Sequence, residues 1–393
     1  WGPRARGAGA AVDMVEQGAV ETITSALMGH ANVPAVFEWA ARALHGLVEV
    51  RDFEPDNDAR RNSMEVQDIL EDIADARKIS QKLGASGKLL PALLRAMKLN
   101  PGQFVAQEWA FRFLWLLFPT DDSINGGEIS YSALSAVSMD WKENEETRRL
   151  LQRMHELELS NICLRVMVAR PTTETLQEMA LALLCAITEI SSKPNSDESG
   201  EGVSAAVDLM REYPTSLWIQ RESCNLLAFW LSSDSGSGKS RVDLHQIGIL
   251  PAVLDVYRNF PNSTDLQGCV CHVLWSLSSV ESLWRDRELL RDASKIAAAA
   301  FQRRELDDVS LTSKALGVLS NLALLAGNDR GLGSSSPLPV ASVVSILTDN
   351  MSDPKLVEGA CRALANMHHA GWYTPGDVLG AKREAEAVIG AAR

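Results

Sequence analysis

The sequence predicts an all-α fold in which short helices stack unit upon unit as a solenoid. Three observations predict it. Seven apolar runs of one shape return along the 393 residues, each is preceded by a second short apolar helix, and the later joints between them are polar. Recurrence at a period of this size marks stacked units, each too small to bury its apolar face alone.

The runs are EWAARALHGL, EWAFRFLWLL, EMALALLCAI, ESCNLLAFWL, GCVCHVLWSL, SKALGVLSNL and GACRALANM, aligned through Leu44, Leu114, Leu184, Leu227, Leu274, Leu319 and Leu364. Neighbouring leucines lie 70, 70, 43, 47, 45 and 45 residues apart. Apolar residues fall three and four places around each leucine, the stripe of a helix buried along most of its length. The position four before the leucine is Ala40, Ala110, Ala180, Ser223, Val270, Ala315 and Ala360, small enough for close helix packing. Trp39, Trp109, Trp115, Trp230 and Trp275 lie within these helices and are read as filling space between repeats.

The helices upstream of the runs are ETITSALMG, KLLPALLRAMK, NICLRVMVA, VSAAVDLMRE, LPAVLDVYRN, SKIAAAAFQR and PVASVVSILTDN. Several begin after a glycine, at Gly18, Gly87 and Gly248, where a left-handed turn between helices is tolerated, and Pro251 suits a first helical turn. Repeats are placed at about 12–50, 83–118, 151–190, 202–232, 246–280, 292–325 and 338–370 of a single solenoid. The two long spacings put insertions at 51–82 and 119–150, each with a helical-looking piece, and AKREAEAVIGAAR gives a C-terminal helix at 379–392. Neither end carries a clear polar cap, so further repeats or a partner are expected there.

Glycine-led helices followed by an A-L-x-N-L type helix, most clearly in GILPAVLDVYRN, SNLALLAGN and CRALANMHHAG, resemble the armadillo repeat family over about residues 15–375. HEAT repeats are the nearest alternative, and the glycine-marked turn favours armadillo. The resemblance implies a right-handed α-solenoid of about seven repeats whose third helices look onto a concave groove. It implies that the positions two before and two after each leucine face that groove. Before the leucine stand Arg42, Arg112, Ala182, Asn225, His272, Gly317 and Arg362; after it, Gly46, Leu116, Ala186, Phe229, Ser276, Asn321 and Asn366. Import-type members carry Trp at the first position and Asn at the second. Here Asn321 and Asn366 match, but no tryptophan stands at the first, which counts against an import adaptor.

Each groove arginine follows a glutamate by four residues: Glu38 and Arg42, Glu108 and Arg112, Glu358 and Arg362. That is the favourable order on a helix. The pairs read either as a solvated salt-bridge face or as a groove that meets a partner's acidic or carbonyl groups. Trp141, in the polar insertion SMDWKENEE, is the expected contact outside the solenoid.

Composition narrows the function classes. A net charge of -13 argues against a phosphate-binding surface, so no nucleic acid is expected, and no apolar stretch is long enough to insert in a membrane. Three of six cysteines, Cys224, Cys271 and Cys361, share one repeat position and read as small core residues. The start WGPRARGAGAAVDM has no initiator Met and no signal core, which reads as a processed or truncated chain in a reducing, intracellular, cytoplasmic setting. GSGKS at 236–240 lacks the leading glycine and the strand of a phosphate loop. CVCH at 269–272 puts its cysteines two apart on a helix, where they point to different faces. No metal, cofactor or catalytic residue is nominated. The expected function is a non-enzymatic scaffold or adaptor that holds an extended peptide or helix of a protein partner in the groove, within a larger assembly. A chaperone cofactor of the Hsp70 nucleotide-exchange kind is the alternative, with the import adaptor behind it.

Overall fold

The computed structural model describes residues 8–48, 78–118, 145–169, 173–190, 196–233, 244–278, 287–300, 309–326 and 338–371. Trp141, the GSGKS string, most of both insertions and the expected 379–392 helix lie outside them. Among the described residues there is no strand, and the expectation of an all-helical chain holds. The chain divides into two compact units, Trp1–Pro194 and Asn195–Arg393.

In the first unit the helices are α1 (Ala8–Glu16), α2 (Ala19–His30), α3 (Pro34–Val48), α4 (Leu89–Leu99), α5 (Phe104–Leu116), α6 (Glu145–Glu156), α7 (Leu159–Ala169) and α8 (Glu174–Ile190). Residues 78–85 are helical too. The runs with the recurring leucine form α3, α5 and α8, which pack in that order, and α2, α4 and α7 pack as a second row behind them. α1 packs on α2 and α3, and α6 packs on α7 and α8, so these two repeats are helix triples.

The second unit repeats the plan with α9 (Ser196–Glu212), α10 (Leu217–Ser233), α11 (Leu244–Ile247), α12 (Ile249–Asn259), α13 (Thr264–Leu277), α14 (Arg287–Ala300), α15 (Val309–Ala326), α16 (Leu338–Asp349) and α17 (Pro354–His369). α10, α13, α15 and α17 form one row, and α9, α12, α14 and α16 form the other. Each helix meets its partner in the pair and its neighbours in the row, as in a one-dimensional stack.

The recurring leucine is the buried seam of these rows. Leu44, Leu114, Leu184, Leu227, Leu274 and Leu319 are buried, and so is the small position four residues earlier in all seven runs. Leu364 is only half-buried, and Cys361, read as a core residue, is exposed. The correction has a physical cause. α17 is the last described helix of its row, and no described helix packs on the face where Cys224 and Cys271 find theirs.

Local geometry sets the turns between first and second helices. Gly18 (φ 86°) and Gly248 (φ 68°) adopt the left-handed conformation at the starts of α2 and α12. Gly87 does not, contrary to the expected turn there; the corresponding left-handed residue before α7 is Glu158, at φ 63°. That conformation strains a residue with a side chain. Lys98 Nζ–H donates to Glu158 Oε2 at 2.5 Å and holds its carboxyl below the usual carboxylate range.

A second device joins second to third helices. Gln107, Gln177, Gln220 and Gln267, all buried, stand seven residues before their leucines. Gln107 Nε2–H donates to the carbonyls of Met97 (2.9 Å) and Asn100 (3.0 Å). Gln220 does the same to Met210 (2.7 Å) and Tyr213 (2.9 Å), Gln177 to Val166 (3.4 Å) and Gln267 to Pro261 (2.7 Å). The last carbonyls of a helix have no partner within it. Each glutamine therefore supplies a donor where the second helix ends, and it fixes the third helix against that end.

Candidate functional site

In the first six runs the leucine and the small residue four before it are buried, and in the last run Leu364 is only half-buried and Cys361 exposed. The opposite side of the same helix carries the residues six, five and two before the leucine and one and two after it, because a 3.6-residue turn brings these together. This is the face on which the sequence places Arg42, Arg112, Asn225, His272, Asn321, Arg362 and Asn366.

In the first unit the face is built of stacked arginine and tryptophan. Arg42 Nη2 pairs with Glu38 Oε1 at 2.7 Å, and Arg112 Nη2 with Glu108 Oε1 at 2.7 Å. The Arg42 guanidinium lies 5.2 Å from the Trp39 ring centroid and 5.5 Å from that of Trp109. Arg112 lies 5.3 Å from the same Trp109 ring. Trp109 is thus contacted by guanidiniums from two successive third helices, and Arg42 connects Trp39 to Trp109. His45 meets the edge of Trp109 at 4.9 Å and is buried. That burial, with the Arg112 charge beside it, lowers its pKa to about 4, so it is neutral at physiological pH. Trp39 is 66% exposed.

The tryptophans of the third helices therefore divide, and only Trp230 packs in the core as the sequence reading expects. It lies against Gly202, where any Cβ would come within 1.9 Å of its ring. Trp39 is largely exposed, and Trp275, though half-exposed, lies against Gly317 of the next repeat. They stand on the face turned away from the leucine seam, with Trp275 45% exposed.

In the second unit the same face is polar and internally bonded. Glu222 Oε1 accepts from Arg221 Nε–H at 2.9 Å, Asn225 Nδ2 lies 3.5 Å from Glu222 Oε2, and the Cys269 thiol donates to Asn225 Oδ1 at 3.2 Å. Burial pushes the Cys269 and Cys271 thiols up to about 12, so neither is a thiolate at neutral pH. His272 stacks on Trp275 at 6.2 Å, and burial, followed by the Lys314 charge, lowers its pKa to about 4. Trp275 lies across Gly317: a Cβ there would be 2.7 Å from its Nε1.

The two asparagines are used between repeats. Asn321 Nδ2–H donates to Ser278 Oγ at 2.8 Å, and Asn366 Nδ2–H to Ser320 Oγ at 2.8 Å, with the Ser320 carbonyl at 3.2 Å. With the Ser232 to Ser276 hydroxyl contact (3.1 Å), these bonds tie α10 to α13, α13 to α15 and α15 to α17. Arg362 pairs with Glu358 at an exposed site on α17. The structure thus places seven of the eight nominated residues on third-helix faces, two in the first unit and five in the second; Trp141 is outside the described residues.

Sequence reasoning missed Trp39 and Trp109 as members of this face, although both stand five residues before the aligned leucine. It also missed the glutamines, whose signal was one residue type at one register in four of seven runs. Among the described residues no group of three or more His, Cys, Asp or Glu could hold a metal, and no helix is long and apolar enough to cross a membrane.

Rows of paired helices with an ordered outer face define a class, that of helical-repeat proteins. No family model matches the chain, and no curated protein matches its sequence. Among solved structures it is similar to an engineered protein from the Northeast Structural Genomics Consortium, at 17% identity over 93% of this chain and 92% of that one, TM-score 0.44. It is also similar to a chain from work on a phosphorylation switch controlling the interaction between cadherin and beta-catenin. There the identity is 14% over 96% of this chain and 74% of that one, TM-score 0.49.

Proposed function

We propose that the chain is a non-enzymatic protein-binding scaffold of armadillo type, which takes an extended partner segment or helix along the third-helix face. The observation that carries this reading is the arrangement of Trp39, Arg42, Trp109 and Arg112 on one face of stacked helices. Tryptophan and arginine are the side chains that dominate protein interfaces, and here they are held in place before any partner arrives. Trp275 and His272 give the second unit an aromatic patch at the equivalent face. The helix triples α1–α3 and α6–α8, with a left-handed residue before each second helix, support armadillo over HEAT geometry. In this reading the face is the concave groove of a right-handed stack. In this reading the chain works in a reducing, cytoplasmic setting.

The test is affinity capture from native extract with mass spectrometry, comparing the wild-type chain with a Trp39→Ala/Arg42→Ala/Trp275→Ala variant. The wild type should retain a defined set of proteins that the variant retains several-fold less. An identical set at equal yield from both would remove the face from the function.

A further inference from the structure

We propose that the edge of the first unit where its second helices end docks an acidic amphipathic helix of a partner protein. This edge is carried by α2, α4 and α7 and is separate from the third-helix face, so it goes beyond the scaffold reading.

The register sixteen residues before the aligned leucine falls near the end of each second helix. In the first unit it holds Met28, Lys98 and Val168, with Leu99 next to Lys98. Met28 is 54% exposed, Leu99 50% and Val168 57%. Single apolar residues on a surface are ordinary. Here three come from successive helices of one row whose ends are tied together. Asn100 Nδ2–H donates to the Ala31 carbonyl at 2.7 Å, which joins the end of α2 to that of α4, and Lys98 reaches Glu158 at the start of α7. Because α4 lies between α2 and α7, the exposure of Leu99 is not that of a terminal helix. In the second unit the same register carries Arg211 and Arg258, and the stack itself uses both. Arg211 donates to the Ile247 and Gly248 carbonyls, and Arg258 to Asp292.

Charge selects the occupant. One helical turn before Leu99 and Val168 stand Arg95 and Arg165, both exposed. Among the described residues neither guanidinium has a hydrogen-bond or ion-pair partner, and Arg165 acts on Glu158 through its charge alone. The charged residues of the three second helices are Arg95, Lys98 and Arg165 against one carboxylate, Glu21 at the far end of α2, with His30 in the last turn of α2. Glu156 and Glu158 precede α7 at its other end, and Lys98 already engages Glu158. The row is thus locally positive on a chain of net charge -13. Packed helices lie about 8–10 Å apart, and seven residues of an α-helix rise about 10.5 Å. A helix laid across the row therefore offers one apolar residue to each of Met28, Leu99 and Val168 at heptad spacing. Carboxylates three or four places along it reach Arg95 and Arg165, in the manner of an amphipathic helix on an apolar strip. A surface of anionic lipid is disfavoured by the charge of the whole chain.

The experiment uses two fluorescein-labelled, amidated peptides, LQAEQAA and LQAKQAA, each repeated three times, and reads fluorescence anisotropy against the full chain. The acidic peptide should bind saturably and at least roughly threefold more tightly than the basic one, the scale of two exposed ion pairs. Leu99→Ser should weaken the acidic peptide several-fold, and Arg95→Glu/Arg165→Glu should reverse the preference between the two. All three sites are exposed, and circular dichroism with urea midpoints shows that the variants fold. The Trp39→Ala/Arg42→Ala/Trp275→Ala variant should bind the acidic peptide as the wild type does. The proposal is overturned by an acidic peptide that does not bind saturably, by binding that the edge variants leave unchanged, or by binding lost in the third-helix variant. Sedimentation of the wild type with vesicles of phosphatidylcholine and phosphatidylserine, lost in Leu99→Ser, would assign the edge to a membrane and overturn it as well. None of these failures touches partner capture by the third-helix face, which stands or falls on its own variant.

Discussion

Arg42 of α3 and Trp109 of α5 are stacked at 5.5 Å, and through this contact two third helices whose leucines lie 70 residues apart share one side chain. The contact is made on the face opposite the leucine seam, so the two helices are joined on both sides. A double-mutant cycle on Arg42→Ala and Trp109→Leu should yield a coupling of about 0.5–1 kcal/mol in urea unfolding, the range for partly exposed cation–π pairs. Simple additivity would mean that the arginine is held by Glu38 alone.

The glutamines at the second-to-third helix corner are predicted to matter more than any surface ion pair. Gln220→Ala removes donors from the Met210 and Tyr213 carbonyls, and Gln107→Ala removes them from Met97 and Asn100. Each should cost about 1–3 kcal/mol, because two buried hydrogen bonds of about 0.5–1.5 kcal/mol each are lost. Arg362→Ala, which breaks an exposed pair with Glu358, should cost less than about 1 kcal/mol. Urea midpoints for the three variants check the order, and equal effects would contradict it.

Two helical glycines should respond in opposite directions to alanine. At Gly202 the new methyl would meet the Trp230 ring at 1.9 Å inside a packed core, costing about 1–3 kcal/mol as overpacking. At Gly268 a Cβ meets nothing within 4 Å, so Gly268→Ala should gain about 0.5–1 kcal/mol from helix propensity. Thermal melts of the two variants decide it. A stabilised Gly202→Ala would show that Trp230 does not lie against that helix.

Acid should weaken the fold through its neutral histidines. His45 sits at about 4 in the native state against an ordinary 6.5, first because it is buried and then because Arg112 is near. Between those values the unfolded chain binds a proton that the native chain does not. Stability therefore falls as pH drops from 6.5 to about 4, by up to about 1.4 kcal/mol per pH unit for this group, and levels off below. His272, lowered to about 4 by burial and Lys314, acts in the same direction. Urea midpoints at pH 7 and pH 5 should differ less in His45→Gln than in wild type. An equal difference would assign the acid sensitivity elsewhere.

Much of the fold was legible because a stack repeats its constraints. The same apolar stripe and the same small residue four before each leucine had to recur wherever one helix pair meets the next. The glutamine recurred for the same reason, yet polarity hid it among residues ordinarily assigned to the surface. Cys361 shows the limit of arguing by register. It occupies the position of the buried Cys224 and Cys271, but burial requires a neighbouring helix, and register alone cannot supply one.

The face was legible only in part. The sequence placed the arginines and asparagines on it, because helical periodicity fixes which residues share a side. It also paired each arginine with the glutamate four residues earlier, and those pairs form. What the asparagines bond to was decided by the neighbouring third helix, whose Ser278 and Ser320 lie 43 and 46 residues away along the chain. The role of the tryptophans was decided the same way. Register puts Trp230, three residues after its leucine, inward and Trp39, five before, outward; that Trp230 meets Gly202 of an adjacent helix and that Arg42 spans from Trp39 to Trp109 depended on the neighbouring helices. The sequence by itself determined the helices, their pairing and the side on which each residue stands, since these follow from a local period. Tertiary structure decided which of those residues are occupied by one another and which are left exposed, since that depends on distances between helices.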